Sequence, residues 1–303
     1  MNRIIVTGAT SMIGAALIDT AVRNGVEVYA IVRPDTKRLE RLSKSPLVKV
    51  VYSNLDSLSH IESLPDDCDA LFHFAWVGTK KEDRNDPATQ EKNIKYTLDA
   101  IELAKNTGCR RFVGAGSQAE YGPVEGIIDD STLFNPDTSY GIAKLAAGIL
   151  SRKKCESEGI NHIWGRIFSV YGTRDNEGTM INYALDCWKK GETANFSSGE
   201  QYWNYLYESD AGEIFYRLGD NCLESGTYFV ANTESRPLKE YLQSLIAEYG
   251  EGAEAIFASS NIKHPGLNVD SSKTMNTINY RPQVSFEEGI KKVISYKESA
   301  QKM

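Results

Sequence analysis

Six short apolar runs, separated by stretches long enough for helices, occupy residues 1–168, and no other feature restricts the fold as tightly. The runs are Ile4 to Thr7, Val26 to Val32, Leu47 to Val51, Ala70 to Phe74, Arg111 to Gly114 and Ile160 to Phe168. Helical spacing covers Met12 to Asn24, Ala88 to Lys105 and Ser139 to Ser157. Strand, helix, strand in series calls for parallel pairing through right-handed crossovers, with helices on both sheet faces. The expected fold is therefore α/β, a doubly wound parallel sheet.

Past about residue 170 the pattern loosens into aromatic-rich loops and glycine turns, with short helices expected at Met180 to Lys190, Leu238 to Glu248 and Phe286 to Tyr296. We read residues 1–168 as a dinucleotide-binding, Rossmann-type domain. Residues 169–303 are read mainly as a smaller C-terminal substrate lobe, with some segments returning to the sheet. A crevice between the two is the natural place for a ligand.

Composition narrows the function classes. A chain of 303 residues with 41% hydrophobic and 25% charged residues reads as a soluble globular protein. Its net charge of −7 speaks against nucleic-acid binding, which needs a basic surface. The cysteines Cys68, Cys109, Cys155, Cys187 and Cys222 are scattered, odd in number and form no Cys-x-x-Cys pair. That usage points to reduced thiols in a cytoplasmic protein and away from a zinc site. Arg3-Ile4-Ile5-Val6 runs straight into a turn, and no apolar stretch approaches the ~20 residues that span a bilayer. Neither a secretory signal nor a membrane segment is expected.

Thr7-Gly8-Ala9-Thr10-Ser11-Met12-Ile13-Gly14 joins the first strand to the first helix. Glycines there allow positive φ and a close approach of backbone N–H groups to a pyrophosphate on the helix N-terminus. The usual pattern is Thr-Gly-x-x-Gly-x-x-Gly, so Ser11 stands where a glycine is usual; it adds bulk and can donate a hydrogen bond. The second strand ends in Val32-Arg33-Pro34-Asp35. An acidic residue at that point accepts from the ribose of NAD, whereas Arg33, with Lys37 or Arg38, suits the 2′-phosphate of NADP. The expectation is NADP, with NAD possible; a solvated arginine explains the same residue.

Tyr140 and Lys144 lie four apart in Ser139-Tyr140-Gly141-Ile142-Ala143-Lys144, on one helix face, downstream of Ser117. A phenol titrates near ~10, and a neighbouring cation favours phenolate, which suits the pair to acid–base work. Alone the spacing is weak.

With these residues in place, the chain resembles an extended short-chain dehydrogenase/reductase of the NAD-dependent epimerase/dehydratase group. The resemblance runs nearly end to end. It rests on Asp69-Ala70-Leu71-Phe72-His73-Phe74-Ala75-Trp76, Asn93 with Thr97, Gly116-Ser117-Gln118-Ala119-Glu120-Tyr121-Gly122 and Arg166-Ile167-Phe168-Ser169-Val170-Tyr171-Gly172. Asp270-Ser271-Ser272-Lys273, Asn279-Tyr280-Arg281-Pro282 and Phe286-Glu287-Glu288-Gly289-Ile290 complete it.

The resemblance implies an oxidoreductase in which Tyr140 exchanges a proton with a sugar hydroxyl or ketone. Lys144 would lower the phenol's pKa and bind the nicotinamide ribose, and Ser117 would orient the reacting oxygen. Candidate cofactor contacts are Gly8, Thr10, Ser11, Met12, Ile13, Gly14, Arg33, Asn54, Leu55, Phe74, Ala75, Trp76, Asn93, Tyr140 and Lys144. Candidate substrate contacts are Gln118, Ser169, Trp203 and Arg236; no metal is expected. His73 reads as a buried strand residue, and Trp76 either walls the cleft or packs.

Departures from the family pattern refine the reaction. Dehydratases carry Asp and Glu where this chain has Gln118 and Ala119, so water elimination is disfavoured. Glu120 is displaced by one position, which on a strand turns it to the opposite face. Arginines that clamp a nucleoside diphosphate are replaced by Trp203 and His264. Arg174, Arg236, Lys263 or the loop Lys80-Lys81-Glu82-Asp83-Arg84 could compensate, and Tyr202-Trp203-Asn204-Tyr205 either stacks on a ring or packs the lobe.

The leading reading is a nucleotide-sugar oxidoreductase, foremost a 4-keto-sugar reductase. A 4-epimerase with tightly held NAD is the alternative, and a non-catalytic dinucleotide sensor is the alternative of another class. The helices Ala88 to Lys105 and Ser139 to Ser157 resemble a four-helix dimer contact, with Leu145, Ile149 and Leu150 as candidate buried positions, so a homodimer is expected.

Overall fold

A computed structural model describes residues 1–80, 82–221, 223–259 and 264–300; Lys81, Cys222 and Lys263, named above, lie outside the described residues. Seven parallel strands form the central sheet: β1 Arg3–Thr7, β2 Glu27–Val32, β3 Val48–Tyr52, β4 Ala70–His73, β5 Arg111–Ser117, β6 Asn161–Ile167 and β7 Gly226–Val230. Their order across the sheet is β7-β6-β5-β4-β1-β2-β3. The order reverses beside β1, which is where a doubly wound sheet opens a crevice.

Alternation along β1 sorts the two layers. Ile4 and Val6 face one core with Leu17, Ile18, Ile214 and Phe215, while Ile5 faces the other with Leu71, Ile101, Ala104 and Phe112. The helices supplying these cores are α1 Met12–Arg23, α2 Pro87–Asn106, α3 Ser139–Glu158, α4 Met180–Lys189 and α5 Glu208–Asp220. Helices α1 and α5 pack together on one face, α2 and α3 on the other.

Two of these elements, α5 and β7, were not read from the sequence. Gly212 and Gly219 depress the intrinsic helix signal of α5. Yet a Cβ on Gly212 would lie 2.5 Å from the Ala16 carbonyl carbon, so the residue that hides the helix permits its contact with α1. Strand β7 is only five residues long and has one buried end. Strand β5 runs on to Ser117, past the expected end at Gly114, because β6 pairs with it as far as Ser117↔Ile167.

The rest of the chain adds α6 Leu238–Tyr249, α7 Ser272–Thr277 and α8 Phe286–Ala300. A second core gathers Tyr171, Ile181, Leu185, Trp188, Leu242 and Ile290 among α4, α6 and α8. Short strand pairs stitch this lobe: Ser169–Tyr171 with Tyr205–Tyr207, and Tyr202–Trp203 with Arg236–Pro237. Among the described residues no helix is long and apolar enough to cross a membrane.

Candidate active site

Because all seven strands are parallel, their carboxyl ends share one edge, and most candidate residues follow from that fact. Gly8 follows β1, Arg33 follows β2, Asn54 and Leu55 follow β3, and Phe74, Ala75 and Trp76 follow β4. Ser117 ends β5, and Ser169 stands just beyond β6.

The β1–α1 turn presses against the end of β4. Gly8 has φ +65°, and a Cβ there would lie 2.6 Å from the Ala75 nitrogen, so the backbone must be bare. Ser11 caps α1, its Oγ accepting from the Gly14 N–H at 3.0 Å. The serine thus turns inward as a cap, and its O–H is its remaining donor. The first intrahelical bond is Ala15 N to Ser11 O at 2.9 Å, which leaves the Met12 and Ile13 N–H groups ahead of it at the helix mouth. Such a bare turn below a helix N-terminus fits a dinucleotide pyrophosphate. Arg33 is 68% exposed, its Nε 3.8 Å from Asp35.

His73 is a buried strand residue. Nδ1 meets Thr7 Oγ1 at 2.8 Å and Nε2 meets Thr97 Oγ1 at 3.4 Å. Burial, helped by the Lys144 charge, pushes its pKa down to about 3, so it stays neutral.

Asn93, a candidate cofactor contact, holds backbone in this structure. It is buried on α2, with Oδ1 accepting from Val77 N at 2.8 Å and Nδ2 donating to Val77 O at 2.9 Å. These bonds clasp the loop after β4, where an amide on a buried helix face pairs with otherwise unpaired backbone. Gln90, one turn earlier, completes the clasp. Its Nε2 donates to Gly78 O at 2.7 Å, and its Oε1 accepts from Trp76 Nε1 at 2.9 Å. Gln90 was missed from sequence, since a glutamine on a helix carries no motif.

The loop so held delivers Trp76 and Arg84 to Tyr140. Trp76 meets the Tyr140 ring edge-on at 6.0 Å, and the Lys144 ammonium lies 3.6 Å from the Trp76 ring centroid. Trp76 therefore packs against both Tyr140 and Lys144. Arg84 stacks its guanidinium 4.3 Å from the Tyr140 ring centroid, and its carbonyl accepts the Tyr140 N–H at 2.9 Å.

Helix α3 begins at Ser139 behind a Thr138 cap, so Tyr140 and Lys144 occupy its first two turns. Lys144 is buried and donates to Ala115 O at 2.7 Å. Burial pushes its pKa down to about 7, opposed by the Glu120 charge. Burial pushes the Tyr140 phenol up, opposed by a hydrogen bond with Ser117 and by the Arg84 charge. The lowering expected from Lys144 comes instead from Ser117 and Arg84, and it does not overcome burial. The ammonium is turned to the Ala115 carbonyl and the indole, 5.9 Å from the phenol ring centroid.

Glu120 does not lie on a strand. Gln118–Glu120 forms a single 3₁₀ turn directly after β5, with Ser117 as its cap. The turn sends Glu120 into the core and leaves Gln118 half-exposed beside the cleft.

In the lobe, Trp203 and Arg236 face each other across a strand pair. Trp203 donates from Nε1 to Ser169 Oγ at 3.0 Å, which brings two candidate substrate residues together. Arg236 is held by Glu287 at 3.3 Å and lies 4.3 Å from the Tyr241 ring centroid. Arg174 is tied to Asp19 of α1 at 2.6 Å. In the Tyr202–Tyr205 cluster, Tyr205 and Asn204 pack inside, while Tyr202 stays exposed. A cavity of about 210 Å³ lies behind the serine segment, lined by Glu120, Leu145, Gly148, His162, Trp164 and Arg166. Ser117, Tyr140 and Lys144 are not among its lining residues.

Residues 4–231 match the NAD dependent epimerase/dehydratase family. UDP-glucuronic acid decarboxylase 1 of Arabidopsis thaliana is 24% identical over 306 residues, 97% of this chain and 69% of that protein. CDP-abequose synthase of Salmonella typhimurium is 22% identical over 310 residues, 96% of this chain and 97% of that protein. Among solved structures, UDP-N-acetylglucosamine 4-epimerase from Methanobrevibacter ruminantium M1 superposes with a TM-score of 0.86 at 19% identity, covering 99% of both chains. The Bacillus cereus UDP-glucuronic acid 4-epimerase in complex with NAD gives 0.84 at 20% identity, covering 98% of this chain and 99% of that one. The seven-stranded sheet with its glycine turn and the match over 4–231 agree, and the chain belongs to the NAD-dependent epimerase/dehydratase family of enzymes.

Proposed function

We propose that this protein is an NAD(P)-dependent oxidoreductase acting on a nucleotide-linked sugar, and that its net reaction is 4-epimerisation. The observation that carries the reading is the meeting of Ser117, Tyr140 and Lys144 at the carboxyl edge of the sheet, with Glu120 already consumed by an ion pair with Arg166. A site with a proton-exchanging phenol and no spare carboxylate after the serine suits oxidation and reduction of a hydroxyl rather than elimination. Family membership and the 4-epimerases among its structural neighbours support the same choice.

The bound dinucleotide would supply reversible hydride acceptance. Residues of the chain do the rest. Tyr140 moves the proton at the sugar oxygen, and Ser117 fixes that oxygen beside it. Lys144, dry and with its pKa pushed down by burial, holds ribose hydroxyls. Trp76 shields the ammonium from water. The bare Gly8 turn and the mouth of α1 receive the pyrophosphate, and Gln118, Ser169 and Trp203 line the sugar side.

One observation favours a second reading, a 4-keto-sugar reductase using NADPH. Arg33 stands exposed at the end of β2, where it can meet a 2′-phosphate. Incubation with a panel of nucleotide sugars and their 4-keto derivatives separates the two. Isomerised sugar without net cofactor consumption marks the epimerase, and stoichiometric loss of NADPH absorbance marks the reductase. No turnover with any of them overturns both.

The same reading includes a cytoplasmic homodimer. Of the positions expected to be buried, Leu145 is partly covered within one chain, while Ile149 and Leu150 on α3 are 46% and 45% exposed, as is their neighbour Ile142 at 54%. A partner's α2 and α3 would cover them.

A further inference from the structure

Glu120 is fully buried, and both of its oxygens are bonded twice. Oε1 accepts the Ser117 backbone N–H at 2.8 Å and Trp164 Nε1–H at 3.0 Å. Oε2 accepts from Arg166 Nε at 2.9 Å and Nη2 at 2.6 Å. Arg166 in turn donates from Nη1 to Tyr121 OH at 2.7 Å, and its guanidinium lies 4.7 Å from the Tyr121 and Phe134 ring centroids. The carboxylate is therefore locked from β6 on one side and grips the amide of Ser117 on the other.

The neighbouring sequence is built around this grip. A Cβ on Gly116 would come 2.4 Å from Trp164 Nε1 and 2.7 Å from Glu120 Oε1, so only a glycine admits both groups at that point in β5. Ser117 Oγ accepts from Ala119 N at 3.2 Å, closing a reciprocal box in which Glu120 holds the Ser117 amide and Ser117 caps the turn. A buried ion pair is weak evidence of stabilisation, since well-packed apolar groups often do as well. Anchoring one backbone amide is a job that apolar groups cannot do.

We propose that Glu120, locked by Arg166 and Trp164, is the positioning residue for Ser117, fixing its backbone so that the hydroxyl meets Tyr140 and the sugar oxygen. Its kinetic consequence rests on the oxidoreductase reading above; its structural consequence does not. Glu120 touches neither substrate nor cofactor in this role and acts through the serine.

A double-mutant cycle in the full-length protein tests it. E120L removes the acceptor for the Ser117 amide and lowers kcat about 10- to 100-fold, the worth of a hydrogen bond to a charged group. KM and the NAD dissociation constant stay within about twofold, and E120L in an S117A background costs nothing more. Multiplying effects of E120L and S117A overturn the proposal. If E120L fails to bind NAD, E120L/R166M, which removes the unpaired guanidinium as well, takes its place in the cycle.

A second arm needs no turnover, so an inactive panel leaves it decisive. The Tyr140 phenol is faced by Ser117, Arg84 and Glu120, and the Ser117 bond and the Glu120 charge act on it in opposite directions. An ultraviolet titration of the phenol, with Y140F subtracted, rises in E120L as it does in S117A if the serine has lost its position. A midpoint that falls or stays shows that only the charge was felt, and overturns the proposal.

Discussion

The carboxyl edge of the sheet and the C-terminal lobe treat their cations in opposite ways. Lys144 is buried against a carbonyl and an indole, with no carboxylate partner among the described residues. Arg236, in the lobe, is paired with Glu287 and partly exposed, and Arg174, beyond β6, is paired with Asp19. The first arrangement leaves a charge poorly solvated and its proton loosely held; the second fixes charge and geometry together. The proposed proton chemistry lies in the first setting and the proposed ligand contacts in the second.

Removing the proton donor should break this contrast most severely. Y140F is expected to lower kcat by about 10²- to 10⁴-fold with cofactor affinity unchanged, measured by steady-state assay and fluorescence titration with the dinucleotide. An equal loss of cofactor binding would show that the ring, not the hydroxyl, was needed.

Next in size is the pH dependence of stability. The folded Lys144 value of about 7 lies below its ordinary 10.5, so the unfolded chain binds more protons between them. Stability of the cofactor-free protein should rise with pH from about 7 to 10, by up to about 1.4 kcal/mol per unit. Above that range the raised phenol of Tyr140 works the other way, because the unfolded chain loses that proton first. Urea unfolding at several pH values checks the slope, and K144M should flatten it. A slope that persists in K144M would place the effect elsewhere.

The smallest expected effect lies in the lobe. W203F deletes the bond to Ser169, worth about 1 kcal/mol, and should raise KM for the nucleotide sugar about fivefold. Cofactor affinity should stay put. A change in kcat instead would tie Trp203 to the reacting end of the sugar and blur the distinction between the two regions.

Much of the placement of the candidate site was legible because its signals are local. A glycine after a strand, a tyrosine and lysine one helical turn apart, and a serine at a strand end each depend on backbone geometry that neighbours in sequence determine. Gln90 and Asn93 were opaque for the converse reason. Their roles come from a loop that folds back over α2, and an amide carries the same letter whether it clasps backbone or binds a ligand. Arg84 likewise reads as surface charge until the loop after β4 lays it on the Tyr140 ring.

Glu120 marks the boundary between the two kinds of information. Its identity and its place after Ser117 are written in the chain, as are the parallel sheet and the proton pair. That it turns inward depends on a single 3₁₀ turn and on partners 44 and 46 residues away, Trp164 and Arg166. Periodicity and short motifs report on local geometry, so sequence alone determined most of the strands and helices and the candidate residues at their ends, but not α5 or β7. Only the packed structure decided which buried polar groups face one another, because a polar atom withdrawn from water takes whichever partner the fold brings within reach.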